Sequence, residues 1–164
     1  MSCMNESELS RQLSDLREVA KHLNEKSDEI TALIAQFEAA LRELNLGLEV
    51  WTPLQSEESS FVPPFGSKKA IPVTIETVLG YARGEDGWAL YVKRTTYRST
   101  TAAGPLGLAQ KGQVVKANTW LKLLDASRSV RIAALDAFPK LLEALKTSAE
   151  SAVQSINNAK KFLD

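Results

Sequence analysis

The chain has 164 residues, with 20 Lys and Arg balanced by 20 Asp and Glu. That length suits one domain, 1–164, with a real core. No apolar run approaches the roughly 18 residues that a membrane span requires. The zero net charge hides an asymmetry: residues 1–50 hold five Lys/Arg against ten Asp/Glu, whereas residues 68–131 hold eleven against four.

The first predicted element is a helix over 6–45. Leu9, Leu13, Leu16, Ala20, Leu23, Ser27, Ile30, Ile34, Phe37, Leu41 and Leu44 follow one another in alternating steps of four and three. This is the heptad seam of a helix that winds against another helix. At about 1.5 Å per residue the rod is roughly 60 Å long. Its stripe needs a partner, from this chain or another. Ser27 interrupts the seam, where a hydroxyl can bond back within its own helix. His22 lies off the seam and points to solvent. The polar, acidic start reads as neither a secretory signal nor a transit peptide, and the single cysteine, Cys3, has no mate in the chain. Both point to a cytoplasmic protein.

Residues 46–120 are predicted as a β-sheet head. Gly47 ends the helix. Leu46, Leu48 and Val50 alternate with polar or small neighbours, giving a short strand. Residues 52–70 contain Pro53, Pro63, Pro64 and Gly66 and are expected to form a mobile loop. Ile71 to Arg83 and Trp88 to Arg98 flank Gly84-Glu85-Asp86-Gly87 and form a β-hairpin. Pairing Arg83 with Trp88 puts Ile75, Leu79, Tyr81, Leu90 and Val92 on a core face. Val78, Gly80, Ala82, Ala89 and Tyr91 share the other, with Tyr91 expected to cover Gly80. Residues 99–112 form a second expected mobile loop, and Gln113 to Thr119 a short edge strand. Asp125 is a candidate N-cap for a final helix over 127–163, kinked near Pro139. Phe138, Leu142, Leu145, Ala149, Ala152, Ile156, Ala159 and Leu163 form its seam. The predicted fold is α+β: a long antiparallel helical hairpin capped at one end by a small antiparallel sheet of three to four strands. Helix, small strands and helix with the ends together resemble the layout of prefoldin subunits. That resemblance implies a chaperone-like holder.

Catalytic, metal and cofactor chemistry are not expected. One histidine and one cysteine build neither triad nor metal site. Gly104-Pro-Leu-Gly-Leu-Ala-Gln-Lys-Gly lacks the Ser or Thr of a phosphate-binding Walker loop. Asp28 with Glu29 and Glu57 with Glu58 read as solvated charge. One constellation remains. Arg83, Lys93, Arg94 and Arg98 lie on the hairpin, interleaved with Tyr91 and Tyr97. Arg128 and Arg131 begin the last helix, where cations oppose the helix dipole. A bound anion, Asp125 or the acidic first helix resolves that opposition equally well. Two functions follow. One is a non-enzymatic interaction module, self-associating through its heptads or joining a partner protein with an acidic surface. The other is a binding module for a nucleic acid or nucleotide on the basic, aromatic hairpin.

Overall fold

The computed structural model describes residues 6–61, 70–98 and 114–161, with side chains from 8–60, 70–98 and 119–161. The chain is α+β. Helix α1 (Glu6–Glu43) leads to strands β1 (Val50–Phe61), β2 (Ile71–Gly84), β3 (Gly87–Arg98) and β4 (Val114–Lys122). A 3-10 turn, Leu123–Asp125, then leads to helix α2 (Arg128–Lys160). The four strands form an antiparallel meander in the order β1-β2-β3-β4. Among the described residues no helix is long and apolar enough to cross a membrane.

The hairpin register is the one the sequence predicts, with Arg83 opposite Trp88 and Gly84 opposite Gly87. Gly87, at φ +103°, accepts a turn conformation that side chains disfavour. Leu79, Tyr81, Leu90 and Val92 are buried with Ile34 and Leu41 of α1 and Ala134, Ala137, Leu141 and Leu145 of α2. Both helices therefore cover one face of the sheet. Each fully covered Leu or Ile contributes about 1.5–3 kcal/mol. Phe37 stacks on Phe138 at 4.2 Å between ring centroids, joining the helices over this core.

Three expectations need correction. First, β1 continues through Phe61, so residues 52–61 are strand and not loop. Its polar second half, Gln55 to Ser60, pairs with β2 along the ladder. Backbone pairing holds it, with no apolar alternation to betray it. Pro53 is accommodated because β1 is an edge strand with a bulge beside it, between Pro53 and Gln55. The remainder of the first expected loop, 62–69, and the second, 99–112, lie outside the described residues.

Second, the helices do not form an antiparallel hairpin. Arg128 meets Asn24, Arg131 meets Thr31 and Phe138 meets Phe37, so the contacts advance in the same sense along both helices. The cause lies before α2. The turn at Leu123–Asp125 folds the chain back until Ser127 lines one cavity with Thr119 and Arg94. From there α2 runs against β1, from Gln55 and Glu57 near its start to Glu49 and Val50 beside Glu143 and Thr147. The start of α1 overhangs α2 on one side, and the end of α2 overhangs α1 on the other. The chain departs here from the prefoldin layout, whose ends meet.

Third, the N-terminal flank of α2 is Ser127, with no side-chain capping bond, and Asp125 belongs to the turn. Helix α2 runs through Pro139, which is exposed, without a break. Of the predicted α2 seam, Leu145 is buried and Phe138 packs on the core, but Leu142 is exposed, and Ala134, Ala137 and Leu141, outside that seam, complete the buried face.

Candidate functional site

Strand alternation divides the predicted anion-binding residues. Arg83, Arg94 and Arg98 fall on the helix-covered face, whereas Tyr91, Lys93 and Tyr97 fall on the open one. Arg94 pairs with Glu57 at 3.7 Å, and both side chains are exposed. The pair borders a cavity of about 360 Å³ at the head of α2, with Thr77, Thr119, Ser127 and Ser129. Arg128 and Arg131 turn away from this cavity. Arg128 donates to Asn24 Oδ1 at 2.8 Å and Arg131 to Thr31 Oγ1 at 2.6 Å, both across the helix interface. Thr31 in turn donates to the Ser27 carbonyl at 2.9 Å. Ser27 itself is buried beneath these contacts, which gives the interruption of the seam its place: a small residue where α2 begins.

The open face carries a cluster that spans all four strands. Trp51 of β1, Gly80 of β2, Tyr91 of β3 and Lys122 of β4 are successive partners across the sheet. A Cβ on Gly80 would collide with the indole of Trp51, so the ring sits directly on the backbone there. This corrects the expectation that Tyr91 covers Gly80. The Tyr91 hydroxyl reaches instead to Gly84, and Tyr91 is buried in one cluster with Ala82 and Ala89. Trp120 meets Trp51 edge-on at 4.8 Å and Tyr91 at 5.8 Å. Lys93 Nζ lies 5.3 Å from the centre of the Trp51 ring and 5.7 Å from that of Trp120. Trp51 donates its N–H to Glu49 at 2.6 Å. Lys122 donates to Asp86 at 2.7 Å, and this contact lowers the Asp86 carboxyl pKa and raises that of the Lys122 ammonium.

Comparison with protein-family models, curated proteins and solved structures finds no match to this chain.

The third feature is the first half of α1. Beyond Asn24 the helix projects past the start of α2. Leu9, Leu13, Leu16, Val19 and Leu23 are 45–62% exposed there, whereas Ile34 and Leu41 further along the same seam are 0% and 1%. His22 is exposed, 3.5 Å from Glu25, as its position off the seam predicts.

Sequence reasoning passes over Trp51 and Trp120 as sites because their partnership arises only when β1 and β4 close on either side of the hairpin. It also passes over Glu38, a polar flank of the seam that the fold buries. Glu38 Oε2 accepts the Leu90 N–H at 2.9 Å, while Arg42 donates both to Glu38 and, at 2.6 Å, to the Trp88 carbonyl. The last β4 partner on this edge is Lys122, opposite Tyr91, so the two side chains continue the ladder where the strand stops.

Proposed function

We propose that the protein is a non-enzymatic interaction module, a scaffold, adaptor or chaperone-like holder, whose copies join through the free arm of α1. One observation carries this reading: Leu9, Leu13, Leu16 and Leu23, with Ala20 between them, keep the heptad spacing on a stretch of helix whose leucines stay exposed among the described residues. Leaving such a stripe in water forgoes about 1.5–3 kcal/mol for each leucine that a partner helix would bury. The flanks of the arm, Arg11, Asp15, Arg17, Glu18 and Lys21, carry both signs. They favour neither an acidic nor a basic partner, which suits a second copy of the same arm.

Amide hydrogen exchange tests the reading. Residues 8–23 are expected to gain protection as protein concentration rises, while the amides of β2 and β3 stay unchanged. Replacing Leu16 and Leu23 with Glu removes that gain. Both side chains are exposed in the single chain, so the double variant keeps its fold, contrary to what a seam buried within one chain would require. Protection of the arm that is independent of concentration would defeat the proposal.

A further inference from the structure

We propose that the open face of the sheet is a binding site for single-stranded nucleic acid, with Trp120 and Trp51 as the stacking surface and Lys93 as the phosphate contact. The site stands apart from the α1 arm and does not depend on it. Four observations carry it.

The first is exposure: Trp120 is 43% accessible although it is the largest side chain on its strand. An indole left in water at a fixed position is a ready π-surface for a planar partner. The second is the floor. Gly80 in the middle of a strand forgoes strand stability, and at this position it lets the Trp51 ring rest on the backbone. The rings hold one another by edge contacts at 4.8 Å and 5.8 Å, so the surface is formed before any ligand arrives.

The third is charge. Lys93 Nζ lies near both indoles, and among the described residues no carboxylate is within ion-pair distance of it. The acids nearest the cluster are occupied: Glu49 holds the Trp51 N–H and Asp86 holds Lys122, while Glu76, also on this face, has an interaction of its own. A site for neutral sugar would keep such acceptors available for hydroxyl groups; this one presents an ammonium. The fourth is the surrounding sequence. Residues 68–131 carry eleven Lys and Arg against four Asp and Glu, and although Arg83, Arg94 and Arg98 lie on the opposite face and Arg128 and Arg131 in the helix interface, the positive surplus of this part of the chain favours a polyanion over an isolated aromatic molecule. A base stacked on an indole with its phosphate at Lys93 uses both kinds of group together.

The experiment is a titration of the full chain with a short oligothymidylate at low salt, followed by tryptophan fluorescence and by anisotropy of the labelled oligonucleotide. Saturable quenching is expected. Trp120→Ala should weaken binding about tenfold or more, and Trp120→Phe should restore most of it, because any aromatic face stacks. Lys93→Ala should flatten the dependence of log affinity on log salt by about 0.7, the share of one single-strand phosphate contact. Circular dichroism checks each variant, and Lys93→Ala alone decides the matter if Trp120→Ala does not fold. The proposal is overturned if no oligonucleotide binds at high micromolar concentration. It is overturned equally if Trp120→Ala and Lys93→Ala bind as the parent does, or if an oligosaccharide or an acidic peptide saturates the rings while oligothymidylate does not.

Discussion

Replacing Glu38 with Ala cuts the link by which α1 completes the edge of β3. In the parent the carboxylate accepts the buried Leu90 N–H at 2.9 Å and receives Arg42. Without it, Leu90 keeps a buried donor with no acceptor, at about 1–3 kcal/mol. The charge-assisted bond itself is also lost. Breaking a fully buried pair costs about 3–5 kcal/mol, but the Arg42 side chain is half-exposed and regains water. The expected loss is therefore about 2–4 kcal/mol, a large share of the 5–15 kcal/mol typical of a domain. At about 2–4 °C per kcal/mol for a chain of this size, the thermal midpoint falls by about 4–16 °C. Urea denaturation followed by circular dichroism measures the energy, and hydrogen exchange at the Leu90 amide locates it. Glu38→Gln keeps an oxygen for that amide and should lose only about 1 kcal/mol. If Glu38→Ala stays within about 0.5 kcal/mol of the parent, water replaces the carboxylate and the edge needs no help from α1.

Three further substitutions probe separate parts of the molecule. Gly80→Ala places a methyl group against the Trp51 indole and should destabilise by about 1–3 kcal/mol with a shift in tryptophan emission, whereas a gain in the urea midpoint would mean that the ring does not rest on the backbone. Tyr81 is 1% exposed, and burial is the main cause that raises its hydroxyl pKa above the ordinary 10.0, with Arg42 opposing and Glu38 adding to the effect. The folded state thus holds that proton more tightly than the unfolded chain. The resulting stability is complete below pH 10 and is lost as pH rises through the folded pKa. Tyr81→Phe should flatten the alkaline fall of the urea midpoint, and an unchanged fall would place its cause elsewhere. Pro139→Ala returns an N–H to the interior of α2 at an exposed position and should stabilise by about 1–3 kcal/mol; a loss would show that a kink there is needed for packing.

The two helices and the central hairpin are legible in the sequence because their periodicity is carried by large side chains. The helices expected at 6–45 and 127–163 are Glu6–Glu43 and Arg128–Lys160. The alternation that separates Leu79 and Tyr81 from Gly80 and Ala82 also fixes the two faces of β2. The second half of β1 is illegible for the opposite reason: Ser56, Glu57, Glu58, Ser59 and Ser60 carry no apolar period, and only a neighbouring ladder makes them a strand. Helix direction is illegible because a seam names a face without naming a sense. The sense is decided by a three-residue turn whose pivot, Leu123, is fully buried. Arg128 and Arg131 illustrate how far residue type reaches. Their position at a helix start suggests an anion, yet each finds a neutral oxygen on α1. The aromatic cluster escapes a linear reading altogether, since Trp51 and Trp120 lie far apart along the chain.

If the leucines of the α1 arm meet a second copy, the protein in solution is at least a dimer. Molar mass by light scattering across the micromolar range tests it most directly, at low and at high salt, since a leucine seam should survive screening that dissolves surface ion pairs. The parent should show a mass at least twice the 18.0 kDa of one chain, with Leu16→Glu combined with Leu23→Glu falling to 18.0 kDa while keeping the parent's helical signal. A parent that remains at 18.0 kDa at high micromolar concentration would contradict it.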